Sequence, residues 1–401
     1  MSISYRQAWA EIDLGRVRHN ASLLSRIVAP ARLCAVVKAD GYGHGATAVA
    51  KAAIEGGAGL IGVALAEEAI ALREAGVASP ILMLTEAPAS AMEPLVDAGV
   101  TITLYRPHAV VAAANAARRL DRVVPVHVKV DTGMHRVGAD PEDVVALCRQ
   151  VQVAGLRLEG LWTHFAVADD PEDPFTNEQL SRFERVVAAA RRSGFDPPLL
   201  HAANSAGAIA HPTSRYDFVR CGIASYGYAP SERVAAILRR EVERVGASDS
   251  LVPVLKLVAR VHLVRDLEAG ERVSYGRTIA LEKDSRVAVV PLGYADGVTR
   301  RLGAEGGEVL IGERRRPICG TVTMDQLIVD CGTDDVGVGE EVVLIGRQGD
   351  EEITADEWAR RLGTIPYEVL CGIGGRVPRT IRTSIADDDS VNDADPLATK
   401  P

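Results

Sequence analysis

Long apolar runs are missing from this chain. Hydrophobic residues make up 47% of its 401 positions, yet they come in short stretches, none near the roughly 18 consecutive residues that a membrane-spanning helix needs. A basic excess is missing too. The formal charge is -9 and the isoelectric point is near 5.6, which argues against a nucleic-acid footprint and favours a small-molecule site. The six cysteines (Cys34, Cys148, Cys221, Cys319, Cys331 and Cys371) form no Cys-x-x-Cys pair. They read as buried thiols, not as a disulfide or zinc framework. The nine histidines show no His-Glu-x-x-His pattern or clustered ligand spacing, so no metal site is expected. Met1 to Asp13 carries Arg6, Glu11 and Asp13 without an apolar core segment, which does not read as a secretory signal. A cytosolic protein is the expectation.

What is present suggests more than one domain, since a single core rarely serves a chain of this length. From Leu33 to about Gly222, short apolar runs alternate with longer Ala-, Glu- and Arg-rich stretches of helical character. That alternation predicts repeated βα units and a parallel sheet. Eight strands are expected: Leu33 to Lys38, Leu60 to Ala64, Ile81 to Thr85, Thr101 to Tyr105, Pro125 to Asp131, Leu156 to His164, Leu199 to Asn204 and Tyr216 to Cys221. Helices are expected between them, among them Glu67 to Ala75 and Asn177 to Ser193, the latter opened by a capping box at Thr176. Eight such units imply an α/β fold, a closed (β/α)8 barrel. Past Leu251 the texture becomes alternating β-branched residues with glycine turns (Val254 to Val264, Val287 to Pro291, Glu308 to Ile311, Val342 to Ile345), with one late helix capped at Thr354. The resulting division is an N-terminal strand at 1–11 packing with the β domain, a barrel at 12–245, a mostly β domain at 246–384, and an acidic tail at 385–401 expected to be disordered and without a catalytic role.

Barrels of this type work at the C-terminal ends of their strands, with phosphates often on the loops after strands seven and eight. That rule selects Lys38 after the first strand, Lys129 and Arg136 around the fifth, His164 after the sixth, Asn204 and Ser205 after the seventh, and Arg220, Gly222 and Ile223 after the eighth. A lysine closing an apolar strand ahead of Asp40-Gly41-Tyr42-Gly43-His44-Gly45 is desolvated enough to act as an amine nucleophile. Schiff-base chemistry on a phosphorylated aldehyde suits both halves of this set. The plain alternatives are a lysine that merely snorkels from a strand end and a glycine run that is only a tight turn.

A second signature separates these readings. Ala35-Val36-Val37-Lys38-Ala39-Asp40-Gly41-Tyr42-Gly43-His44-Gly45 resembles the cofactor-lysine motif of alanine racemases. The resemblance covers nearly the whole chain apart from the tail. Further matching blocks are Lys129 to Gly138, Thr163 to Ala166, His201 to Ser205, Val219 to Ile223, Val273 to Thr278, Gly293 to Gly297, Met324 to Gln326 and Ile365 to Glu368.

The resemblance implies pyridoxal phosphate bound through Lys38, with Tyr42, Ser205, Gly222, Ile223 and Tyr367 around its phosphate, Asn204 and His164 beside it, and Arg220 at the pyridine nitrogen. A guanidinium is no proton source near neutrality, so that nitrogen is expected to stay unprotonated. The implied reaction is interconversion of L- and D-alanine by two bases: Lys38 serving the D-isomer, and Tyr275 of the partner subunit serving the L-isomer. A phenol, ordinarily near pKa ~10, needs roughly 3 to 4 kcal/mol of help to act as a base near neutrality, and His164 is the implied tuner. Lys129 resembles a lysine often carried as a carbamate that positions Arg136 beside the substrate carboxylate; the plain alternative is an ordinary lysine in a surface ion pair. Met324, Asp325 and Tyr294 are implied at the substrate side, Met324 from the partner in a homodimer with shared sites. The implied biological use is D-alanine for peptidoglycan.

Departures from the family pattern are Thr321, where a basic residue is more usual; Thr323, where Cys or Ser is usual; Cys221, where the side chain is usually bulkier; and Arg277-Thr278-Ile279. They bear on pocket size and turnover. Three other readings remain at this point: a racemase for serine or another small amino acid, a non-catalytic cofactor carrier on the same barrel, and a barrel-type decarboxylase. The β domain and Tyr275 speak against the carrier, and the Tyr275 and Met324-Asp325 blocks against the decarboxylase.

Overall fold

A computed structural model describes residues 6–383; the tail expected to be disordered lies outside the described residues, save for its approach. The chain opens with β1 (Ala8–Asp13), and Asp13 then caps the first helix, Leu14–Val28, its Oδ1 accepting from the amides of Gly15 and Arg16. Eight strands follow: β2 (Arg32–Val36), β3 (Leu60–Val63), β4 (Ile81–Met83), β5 (Ile102–Leu104), β6 (Pro125–Lys129), β7 (Arg157–Trp162), β8 (Leu199–His201) and β9 (Phe218–Cys221). They pair in parallel as β4-β3-β2-β9 and β5-β6-β7-β8. A parallel bridge between Leu82 and Thr101 joins β4 to β5. Bonds from Asp217 N to Leu200 O (3.1 Å) and from Arg220 N to Ala203 O (3.0 Å) join β8 to β9 and close the ring. Strands such as Leu60–Val63 are buried throughout, as parallel strands covered on both faces must be.

Seven of the eight expected strands overran the observed ones at their C-terminal ends; the eighth ends at Cys221 as expected but begins at Phe218, not Tyr216. The residues past each end leave the ladder to build loops: Lys38 enters a turn, and Asn204 becomes a helix cap. The capping box at Thr176 is incorrect. The helix runs Phe175–Arg192, Thr176 is buried within it, and Asp173 Oδ1 takes the first-turn amide of Phe175 at 2.8 Å. Gln179, free of a capping role, turns inward to hold Ala166 N (2.8 Å) and His164 O (3.1 Å). At Thr354 the cap is present: its Oγ1 accepts from Glu357 N at 3.1 Å and opens helix Ala355–Leu362.

The second half is built on β10 (Leu255–Arg260), β11 (Leu263–Leu267), β12 (Arg272–Val273), β13 (Ile279–Ala280), β14 (Ser285–Val290), β15 (Glu308–Ile311), β16 (Arg314–Pro317), β17 (Leu327–Asp330), β18 (Glu341–Gln348), β19 (Glu351–Ile353) and β20 (Arg379–Arg382). The run Val254 to Val264, expected to be β in texture, is divided between two strands. It breaks at Val261 and His262 because β10 pairs with β1 and β18 while β11 crosses to pair with β14 in another sheet. β1 lies between β10 (antiparallel) and β20 (parallel), so the first strand of the chain is an inner member of the larger β sheet. Five cysteines are buried as expected; Cys371, on helix Pro366–Gly372, is exposed instead.

Candidate functional site

The sequence after β2 builds a strained corner. Ala39, Asp40, Gly41 and Tyr42 all have positive φ (54, 51, 63 and 54°), a left-handed run that costs ordinary residues roughly 1 to 2 kcal/mol each. Side chains from elsewhere hold it. The Glu68 carboxylate accepts from the amides of Ala39 (2.6 Å), Ala64 (2.9 Å) and Leu65 (3.0 Å), and Asp40 Oδ1 accepts from Ala46 N (2.9 Å). From the β half, Arg379 donates to Gly43 O (2.9 Å), and an added Cβ at Gly43 would meet Leu370 O at 2.8 Å. Lys38 stands at the start of this corner, half-buried, and burial lowers its pKa, with the Arg136 charge adding to the effect.

Four cations converge here: Lys38, Lys129, Arg136 and Arg220. Lys129 is buried, its Nζ 4.4 Å from the Trp162 ring centroid, and the Arg220 guanidinium lies 4.6 Å from the same centroid. Burial, reinforced by Arg220 and Arg136, pulls Lys129 down to about 7. It makes no ion pair among the described residues, so the reading of a surface ion pair is wrong. Arg136 is exposed at the rim and likewise has no carboxylate partner among the described residues. Asp131, the nearest acid on this loop, is occupied with the amides of Gly133 (2.9 Å) and His135 (3.1 Å). Asp131 and Glu68 offset this cluster only in part, as their charges act on Lys129 and Lys38 against burial and the neighbouring cations; a partly desolvated site with excess positive charge is a receptor for an anion.

Both terminal nitrogens of Arg220 are engaged. It donates to His201 Nδ1 (2.7 Å), His164 Nδ1 (3.1 Å), Thr163 O (2.9 Å) and Ala202 O (2.8 Å). Burial, then the Arg220 charge, drives His164 well below the usual histidine value, so it is the neutral acceptor of that bond. Next to it, Ser205 Oγ accepts from Gly222 N (3.0 Å) and Ala224 N (3.4 Å), which leaves its own proton to donate. Gly222 and the buried Ile223 line this recess, and Tyr42 closes it, its ring 4.7 Å from Tyr226 and 6.1 Å from Tyr367. A Cβ on Gly222 would come within 2.2 Å of the Tyr42 hydroxyl, so any side chain here would force Tyr42 to move. Asn204 serves as N-cap, accepting from Gly207 N at 2.9 Å; it shapes the loop that carries Ser205.

The remaining candidates form a second group on the β half. Tyr275 is 70% exposed and Met324 52%, and no hydrogen bond or ion pair among the described residues links either to Lys38. Thr321 Oγ1 donates to Tyr275 O (3.1 Å), Tyr294 N to Thr323 O (2.9 Å) and Ala295 N to Met324 O (3.1 Å), so Tyr275, Tyr294 and Met324 sit on one set of interlocked loops. The departure at Thr321 thus has a structural use: it ties the Tyr275 turn to the Met324 loop. The Asp325 carboxylate is taken by Arg376 at 2.7 Å.

Sequence reasoning gave no role to Glu68, Arg379, His127 or Glu159. His201 lay inside a matched block, but nothing in its spacing indicated that it would hold Arg220.

A closed parallel barrel carries, at the mouth formed by its strand ends, a desolvated amine, a cationic cluster and an amide-lined recess, and a β domain packs on the amine's loop. This defines the class as barrel proteins with a lysine-bearing, cationic mouth suited to a small anionic ligand. The family model "Alanine racemase, N-terminal domain" matches residues 12–230, and "Alanine racemase, C-terminal domain" matches 254–381. An alanine racemase of Symbiobacterium thermophilum is 46% identical over 376 residues, covering 93% of this chain and 97% of that one. The crystal structure of alanine racemase from Streptomyces lavendulae superposes with a TM-score of 0.88 at 36% identity, covering 96% of this chain and 99% of that one. A histidine racemase of Leuconostoc mesenteroides gives 0.84 at 28% identity over 95% and 99%. The chain belongs to the alanine racemase family, an isomerase family.

Proposed function

We propose that this protein interconverts L- and D-alanine with pyridoxal phosphate held on Lys38, in a homodimer whose two sites each take Tyr275 and Met324 from the partner subunit. The observation that carries the reading is the excess of positive charge from Lys38, Lys129, Arg136 and Arg220 beside a recess in which Tyr42 leaves no room for a side chain at Gly222 without shifting.

The cofactor fits these residues on chemical grounds. Its phosphate suits the spare Ser205 proton, the amides around Gly222 and Ile223, and the Tyr42 and Tyr367 hydroxyls. Its aldehyde suits the desolvated Lys38 amine, and its pyridine nitrogen suits Arg220, which burial lowers only to about 10 and which therefore stays cationic and donates no proton. When bound, the cofactor withdraws the electron pair left at the substrate α-carbon once its proton departs. The chain does the rest. Arg136, exposed at the rim, receives the substrate carboxylate. Lys38 Nζ moves the proton on one face of the α-carbon, and the Tyr275 hydroxyl of the partner subunit moves it on the other. Tyr275 and Met324 are exposed together on interlocked loops, which supports the reading that they serve the site of a second copy. The enzyme is assigned to the cytoplasm, where its D-alanine would supply cell-wall synthesis; no described helix is long and apolar enough to cross a membrane.

The test is incubation of the holoenzyme with L-alanine, and separately L-serine and L-histidine, in deuterium oxide, following optical rotation and α-proton exchange together. Faster racemisation of alanine with deuterium incorporation is the expected result. Exchange faster on serine or histidine would assign a different substrate, and cofactor absorbance without exchange would leave a carrier. Gel filtration showing a fully active monomer would overturn the shared site.

A further inference from the structure

Arg220 is held by a buried line of polar groups that runs away from the barrel mouth. His201 Nδ1 is 2.7 Å from the Arg220 guanidinium, His201 Nε2 is 2.9 Å from His127 Nδ1, and His127 Nε2 is 3.5 Å from Glu159 Oε2. Both imidazoles are buried. A guanidinium can only donate, so His201 must offer a lone pair at Nδ1 and, when neutral, carries its proton on Nε2. His127 must then accept at Nδ1 and carry its own proton on Nε2, aimed at the carboxylate. One protonation pattern satisfies every link, and the guanidinium at one end and the carboxylate at the other favour the same one. Two further features are built around the line. A Cβ at Gly160 would lie 2.4 Å from His127 Nδ1, so that glycine makes room for the ring, and the pairing of β6 with β7 shifts register between Val126 and His127. The His201 ring stacks against Phe218 (centroids 4.0 Å apart) and Trp162 (5.1 Å).

We propose that Glu159 and His127 are positioning residues for Arg220: the carboxylate stabilises the Nε2–H tautomer of His127, which favours the matching tautomer of His201, and His201 then presents the acceptor that holds the guanidinium in place. This rests on the reading of Arg220 as the partner of the cofactor ring. Burial keeps both rings neutral, pushing His127 down and His201 far down, with the Arg220 charge acting in the same direction on each. Glu159 also accepts from Arg157 (2.9 Å) and Thr101 (3.5 Å), which anchor the carboxylate while leaving it able to accept from His127. The other titratable groups facing the line include Lys129, His164 on Arg220, and the thiols of Cys34 and Cys221, both pushed up to about 12 by burial and therefore uncharged.

The experiment is nitrogen-15 NMR of the histidine-labelled holoenzyme, with assignment by single His→Gln changes, read alongside steady-state kinetics. His127 and His201 are expected as neutral Nε2–H tautomers across pH 6 to 9. In Glu159→Leu both signals shift and kcat falls by about tenfold with little change in KM, the size expected for loosening one bond to a charged group. Glu159→Gln keeps an acceptor and restores most of the loss. A wild-type spectrum with His201 cationic or protonated on Nδ1 overturns the proposal, whether or not the Leu variant folds. So does a Glu159→Leu enzyme with unaltered histidine signals. If the tautomers are as derived and shift in Glu159→Leu, while Arg220→Lys leaves the bound-cofactor absorbance unchanged, the line of histidines stands and the reading of Arg220 fails.

Discussion

Replacing Gly222 with alanine puts a methyl group where Tyr42 already stands. The new Cβ would lie 2.2 Å from the Tyr42 hydroxyl and 2.9 Å from its Cζ, both well inside ordinary contact. Tyr42 would have to withdraw by about 1 Å, and little allows it: the ring packs on Tyr226 and Tyr367, and its backbone sits in the left-handed region. Forcing a methylene into a packed site costs about 1 to 3 kcal/mol. If the recess receives the cofactor phosphate, that cost falls on the bound state and weakens affinity by roughly 5- to 150-fold. The assay is titration of apoenzyme with pyridoxal phosphate, followed through the absorbance of the lysine-bound form, with the Tm of the apoenzyme as a stability control. The double change Gly222→Ala with Tyr42→Phe removes the closest atom and should recover part of the loss. Wild-type cofactor affinity with an unchanged Tm in Gly222→Ala would refute the assignment of the recess.

Lys129 supplies a pH prediction. Its value is lowered to about 7, chiefly by burial, so near neutrality about half its amine is uncharged, against under roughly 0.1% of an ordinary lysine. The uncharged amine is the form that adds carbon dioxide, and it is lost as pH falls below 7; carbamate and activity should rise together from pH 6 to 8 in bicarbonate and drop in carbon dioxide-depleted buffer. Carbon-13 bicarbonate NMR with no carbamate signal between pH 7 and 9 would remove the idea. Glu68→Ala strips three amides of their charged acceptor, a loss of about 1.5 to 3 kcal/mol, so the Tm should fall by a few degrees and cofactor capture by Lys38 should slow; unchanged melting and capture would show the strained corner holding itself. Tyr275→Phe should lower α-proton exchange from L-alanine by about 10²- to 10⁴-fold and from D-alanine far less, and equal losses from the two isomers would argue against one base per face.

Much of the barrel was legible because its strands are short, apolar and spaced by helical stretches, and because the functional residues follow strand ends. Lys38, Ser205, Arg220 and Gly222 could be picked by position before any family was considered. Strand ends and the cap at Thr176 were misjudged for one reason: at these points a local pattern competes with a tertiary partner. Thr176 has the right neighbours for a cap, but burial of its helix face and the demand of the His164 loop for Gln179 decide otherwise. The same holds for Val261 and His262, where alternation continues while the chain changes sheets.

What the sequence by itself determined is the kind of fold and the chemical inventory, since periodicity and residue type are local properties. The tertiary structure alone decided which cations meet at the barrel mouth, that Glu68 pins the left-handed corner, that Glu159, His127 and His201 line up behind Arg220, and that Tyr275 and Met324 stand exposed on interlocked loops. Each depends on residues far apart in the chain being brought within a few ångströms, where low dielectric makes an unpaired charge costly and a single hydrogen-bond pattern permissible. No spacing along the chain encodes those distances.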